Sequence, residues 1–298
     1  SIFMLIGIYA TISSEEPKIR KNLKKDNHFK FLLTIFLAVI GFILLYSIIN
    51  NPYERDDIFL SFVFSIARLI ICFIFAFFII NLLILTKFTS KQKISQSYLS
   101  PIINFLKRYG KFAVLILLLI SLYRIADVVM GVMANIFYLE KGYKISEIAT
   151  FSKFFGVFAT IFGGFIGGYC SYRFGTMKAL FSGALIAALS NLLFAWLAVS
   201  PISIGFLIAV ITADNISSGF AGAAFVIYLS GLTSVKFTAT QYALFSSIML
   251  FLPKLIAGYA GSWVDVMGYA YFFSLTAFLG IPVLLLIVWI GKVAPVKN

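Results

Sequence analysis

Arg124 and Asp127 stand three residues apart in the stretch SLYRIADVVM, inside an apolar run that begins near Phe112. On a helix, residues at i and i+3 share a face, so the two side chains can meet and offset each other's charge. Lys153, Asp214 and Lys254 are further charges deep in other apolar runs. By helical rise, Arg124 lies about 18 Å from one end of its run, and Asp127 and Asp214 lie a similar distance from the opposite ends of theirs. These three therefore share a depth. Lys153 and Lys254 fall nearer the far side, on the order of 10 Å or more inside it. A charge at the centre of a bilayer costs about 2.5–3.5 kcal/mol on insertion scales, and such residues usually face a bundle interior and mark substrate or ion paths. The chemistry expected of this set is proton uptake on Asp127 or Asp214, and attraction of an anionic solute by Arg124, Lys153 or Lys254.

Polar residues around the set extend it. Tyr123, Asn135, Asn215, Gln241 and Tyr242 are candidates for binding hydroxyls and amides of a solute, although hydrogen bonds between helices account for them equally well. Arg68, in FSIARLIICF, has no acid nearby. It reads as a snorkelling or interhelical arginine and stays outside the site.

The elements that must hold these residues follow from composition. Of 298 residues, 61% are hydrophobic and only 12% charged, whereas soluble domains carry about 25% charged residues. Apolar runs read as 1–12, 29–49, 58–85, 112–138, 147–170, 177–199, 202–231, 239–264 and 269–291. All but the first are long enough for a helix to span the hydrocarbon core. Helices are required there, because a spanning segment must satisfy its own backbone, and the alternating pattern of barrel strands is absent. The fold class expected is an all-α multi-pass membrane protein. The run at 1–12 is too short to cross and opens on Ser1; it reads as the tail of a helix whose beginning is missing.

Loop charge sets orientation. Lys and Arg number seventeen in the loops 13–30, 86–111, 170–179 and 232–239 and the tail after Ile290, against three in the alternating set. The positive-inside rule places the first set, and the C-terminus, in the cytoplasm. It also explains the net charge of +13 without nucleic acid. Three regions result: 1–28, a truncated helix end with a basic loop; 29–111, a transmembrane hairpin with a basic linker; and 112–298, a six-helix unit. Within that unit, deep charges occupy the first, second, fourth and fifth spans and miss the third and sixth. Two three-helix repeats, each with its third helix on the lipid side, give that pattern.

Other chemistry finds little support. His28 is the single histidine, and Cys72 and Cys170 are the two cysteines, so no metal site or disulfide framework is expected. No phosphate-binding loop with Lys-Ser/Thr follows a strand, and no cofactor is expected. An intramembrane aspartyl protease would need two carboxylates sharing one site, and Arg124 beside Asp127 argues against that. The expected partners are membrane lipid and a small-molecule solute.

Two motifs carry a resemblance. FGGFIGGY (162–169) stacks Gly163 on Gly167 and Gly164 on Gly168, and glycines four apart let helices approach closely. The following GGYCSYRFGTMK (167–178) resembles the major facilitator loop signature GG-x3-D-R-x-G-R-R, with Gly168, Arg173, Gly175 and Lys178 as a cytoplasmic gating loop. Tyr172 replaces the signature's acid. DNISSGFAGAAFVIYLSGL (214–232) and KFTATQYALFSS (236–247) are similar to segments of AmpG-type muropeptide permeases, as is 123–168. The likeness runs from about 112 to 291. It implies proton-coupled import of peptidoglycan-derived anhydro-muropeptides across a bacterial inner membrane. It also implies a six-helix C-terminal half, two extra helices at 29–85, and an N-terminal half missing from this chain, which reads as the C-terminal portion of a longer transporter; a separately encoded N-terminal half is the alternative partner. Two other readings stay open: a non-transporting remnant or split-gene subunit, and a facilitator for another organic anion such as acetyl-CoA.

Overall fold

The computed structural model of the chain describes residues 9, 13, 28–53 and 57–293, without the side chains of His28, Ile58 and Lys153. Apart from Tyr9, the apolar run at 1–12 lies outside the described residues, as do most of the basic stretch after it and the last five residues. Eight helical stretches among those described are long and apolar enough to cross a membrane, and there is no strand among the described residues. The chain is an all-α multi-pass membrane protein.

Helices α1 (His28–Ile48) and α2 (Ile58–Leu85) form the hairpin. Asp57 starts α2 by accepting the Leu60 backbone N–H at 2.9 Å, one of the orphan donors of a helix N-terminus. Arg68 donates from Nε to the Tyr46 carbonyl at 3.1 Å, and its guanidinium lies 3.6 Å from the Tyr46 ring centre. That is the interhelical arginine expected. The hairpin docks on the six-helix unit through Tyr259, whose hydroxyl pairs with Ser65 Oγ at 2.9 Å and whose ring meets Phe62 edge-on at 5.5 Å.

The linker expected as a loop is largely helical. After a short turn at Lys91–Ile94 and a π-helical turn at Ser95–Leu99, α3 (Ser100–Tyr109) carries Pro101 and Phe105 on its buried face. Phe105 packs on Phe245 at 5.0 Å, so the alternation of apolar and basic residues in IINFLKRY is that of a surface-lying helix. Arg108 caps the far end of another span by donating to the Thr233 carbonyl at 3.1 Å, where helix carbonyls run out of partners.

The six-helix unit comprises α4 (Ala113–Leu122) with α5 (Ile125–Lys141), α6 (Gly156–Phe174), α7 (Thr176–Val199), α8 (Ile204–Leu232), α9 (Thr238–Ala257), and then α10 (Ala260–Phe278) with α11 (Gly280–Val293). Gly268 breaks α10 at φ 75°, a left-handed backbone open to glycine. It makes the turn between the fifth and sixth spans. α7 packs against α8, α10, α11 and α6, so only one face, with Leu185, Leu189 and Trp196, is turned outward. Small residues on its other face, Gly183 and Ala184 among them, let neighbours close in.

The tightest pairing is α6 on α8, and the first glycine pair causes it. A Cβ on Gly163 would run into the Ile216 carbonyl, and one on Gly167 into the Phe220 backbone. Gly168, one residue on, faces open space. Gly167→Ala is therefore expected to destabilise by about 1–3 kcal/mol through overpacking, while Gly168→Ala is neutral or slightly stabilising. Thermal unfolding of both variants in detergent checks this pair.

Candidate functional site

The first span is broken where its charges sit. α4 ends at Leu122 and α5 begins at Ile125, with Arg124 at φ −96° and ψ 7° outside helical geometry. Asp127 consequently falls in the first turn of α5, where the positive end of the helix dipole favours a carboxylate. Arg124 Nη2 and Asp127 Oδ2 form a salt bridge, with 23% and 17% of the side chains exposed. Discontinuous helices near mid-membrane are a common way to build transporter sites.

α8 presents the facing surface. Arg124 Nη2 donates to Ser218 Oγ at 3.4 Å. A Cβ on Gly222 would lie 3.4 Å from Arg124 Nη1, so the missing side chain leaves room for the guanidinium. Asp214, Ser218 and Gly222 are spaced four apart and thus share one face of α8. Asp214 Oδ1 accepts from Ser190 Oγ of α7 at 3.5 Å. Arg124–Asp127 is the single salt bridge among the described residues, so Asp214 has no cation in direct contact there. Arg124 Nε is buried without a hydrogen-bond partner.

The other candidates separate. Lys254 is exposed and lines a shallow cleft with Tyr46, Leu69 and Phe251 on the hairpin side, apart from the Arg124 cluster. The backbone of Lys153 lies in a π-helical turn at Ala149–Phe155; its side chain lies outside the described residues. Tyr123 is 5% exposed, stacks on Phe225 at 4.3 Å and donates to the Leu180 carbonyl at 3.2 Å. Asn215 donates to Ile211 O at 2.8 Å and accepts from Thr160 Oγ1 at 3.0 Å, bridging α8 to α6. Gln241 is fully buried. Its oxygen accepts the Ser234 N–H at 2.7 Å and its nitrogen donates to the Pro101 carbonyl at 2.8 Å, tying α9 to α3. These three side chains sit where helix–helix hydrogen bonds use them. Tyr242 is half-buried against the core. Asn135 is exposed and lies two turns beyond Asp127 on α5, with Gly131 open between them.

At the turn after α6, Gly175 adopts φ 91° and ψ 150°, a conformation side chains resist. Arg173 is exposed, and Lys178 lines a cleft between α7 and α11. Among the described residues no group of acids, histidines and cysteines could hold a metal ion.

Ser190, Ser218 and Gly222 were not among the residues expected here. For Ser218 and Gly222 the signal was available, as steps of four from Asp214 along one helix. Ser190 comes from another span, and no spacing leads to it.

Fold and site together define a polytopic helical bundle with an ion pair set at a helix break. No protein-family model matches the chain. Its sequence is 32% identical over 270 residues to AmpG 4 of Rickettsia felis, a protein named as a transporter, covering 89% of this chain and 63% of that one. It is 36% identical over 197 residues to AmpG 4 of Rickettsia conorii, covering 65% and 48%. With AmpG 1 of Rickettsia bellii it shares 34% over 186 residues, covering 62% and 45%. The chain thus spans about half to two thirds of the length of these relatives. By sequence it is related to the AmpG-type permeases.

Proposed function

We propose that the chain forms one wall of a secondary active transporter that imports peptidoglycan-derived anhydro-muropeptides with protons across a bacterial inner membrane. The observation that carries this reading is the Arg124–Asp127 pair at a helix break, bonded to Ser218 of α8, whose helix face also carries Asp214. Arg124 supplies a positive centre for a substrate carboxylate, and Asp127 holds it in place. Asp214, without a cation in contact among the described residues, is the group that takes up the proton. Asn135 and Gly131 extend the open face of α5, where sugar and peptide groups would lie. The Rickettsia relatives are named as transporters, which supports transport rather than catalysis. The C-terminus lies in the cytoplasm in this reading, from the loop charges.

A facilitator closes its cavity between two six-helix halves, so the opposing wall would come from a separate or preceding N-terminal half. The test is uptake of labelled anhydro-muropeptide by cells lacking their own permease. The chain is expressed alone, and beside the N-terminal half of a Rickettsia relative. Uptake that requires both, and that collapses with a protonophore, is the expected result. Absence of uptake in both arms would leave a non-transporting remnant. Uptake competed by acetyl-CoA rather than muropeptide would reassign the solute.

A further inference from the structure

The end of the hairpin from which α1 starts and at which α2 stops holds a second concentration of charge, unrelated to Arg124. Lys87 takes a left-handed backbone, φ 56°, which folds the chain back across the start of α1. Thr89 and Ser90 follow it, and Lys30, Lys87, Lys91 and Lys93 line a pocket of about 460 Å³ with them. No carboxylate is among the described residues that line it. Lys30 lies 5.6 Å from the Phe88 ring centre and Lys93 lies 5.4 Å from that of Phe31. Lys93 Nζ is buried and has no hydrogen-bond partner among the described residues. Four lysines lining one pocket with two hydroxyl side chains, one ammonium without a hydrogen-bond partner among the described residues, call for an anion with several oxygens.

A second cavity begins beside the first. It is an apolar groove of about 500 Å³ between α1, α2 and the 94–99 turn, walled by Ile35, Phe42, Phe77, Ile80 and Tyr98 among others. Lys93 of the pocket and Ile94 of the groove are consecutive residues, and one aromatic pair links the two. Phe31, under Lys93, stacks on Tyr98 at 6.2 Å, and Tyr98 lines the groove. A cationic pocket at the mouth of an apolar channel, at the end of two membrane-spanning helices, matches one kind of molecule.

We propose that this is a binding site for an anionic glycerophospholipid, its phosphate among the four lysines and an acyl chain along the groove. Basic side chains at a membrane surface attract such lipids in general. Here the groove adds a place for the chain, which separates a built site from a diffuse charged surface. A soluble phosphate would use the pocket and leave the groove idle.

The test uses the chain purified in mild detergent, titrated with phosphatidylglycerol or phosphatidylcholine and read by native mass spectrometry. The wild type is expected to retain phosphatidylglycerol about tenfold better than phosphatidylcholine. The triple variant Lys30→Gln/Lys91→Gln/Lys93→Gln should lose that preference. Ala76→Phe, which fills the groove wall, should weaken retention of both lipids and leave pyrophosphate binding, measured by calorimetry, unchanged. Equal retention of the two lipids by the wild type would overturn the proposal without reference to any variant. So would pyrophosphate binding combined with undiminished lipid retention in Ala76→Phe, an outcome that would make the pocket a soluble-phosphate site.

Discussion

Asp127→Ala is expected to destabilise the protein by about 3 kcal/mol, the lower end of the range for stripping one partner from a buried pair. The lower end applies because the two side chains keep 23% and 17% of their exposure. The loss arises less from the missing attraction than from what remains. Arg124 would keep only Ser218 Oγ at 3.4 Å, with its Nε already unpartnered. Arg124→Leu/Asp127→Leu should recover most of that stability, since an apolar pair has no charge to desolvate. Uptake should stay lost in both variants, because neither retains the positive centre in its working position. Thermal unfolding in detergent, run beside the uptake assay, separates the two effects. Wild-type unfolding by Asp127→Ala would mean that Arg124 draws its counter-charge from elsewhere. Recovered uptake in the double variant would reduce the pair to a structural one.

What the sequence made legible follows from which forces are local. The spans were readable because bilayer thickness imposes a length and an apolar composition on each, and 177–199 differs from α7, Thr176–Val199, by one residue. The pairing of Arg124 with Asp127 was readable from helical spacing. The break at Arg124 was not, since no Pro or Gly stands in LYRIAD to mark it. Tertiary direction was the other hidden quantity. Tyr123, Asn215 and Gln241 have the composition of solute contacts, yet neighbouring carbonyls and amides engage them. Lys254 has the depth of a site residue but faces the hairpin cleft. Depth follows from counting residues along a helix. The face a residue presents depends on what the other helices bring to it. The basic linker was misread for a related reason. Its charge pattern fits a loop, and the helical period of α3 emerges only once Phe105 and Pro101 are known to be buried.

Asp214→Asn is expected to separate coupling from binding. Asparagine keeps the shape of the carboxyl and can still accept from Ser190 Oγ, as Asp214 Oδ1 does at 3.5 Å, but it cannot take up a proton and become neutral. If Asp214 is the proton carrier, the variant should still exchange labelled for unlabelled solute across the membrane, since exchange needs no net proton movement. Accumulation against a gradient should collapse to a ratio of about one, because binding energy alone cannot drive a net flux. Asp127→Asn should behave differently. It removes the counter-charge that holds Arg124 at Ser218, so binding and exchange should fall together with accumulation. The contrast matters more than either result. Reconstituted vesicles loaded with solute, assayed with and without an imposed proton gradient, measure both modes in one preparation. Full accumulation by Asp214→Asn would remove Asp214 from the proton path. Loss of exchange in that variant would instead make it a positioning group for the facing helices, and would leave the proton to a carboxylate of the opposing wall.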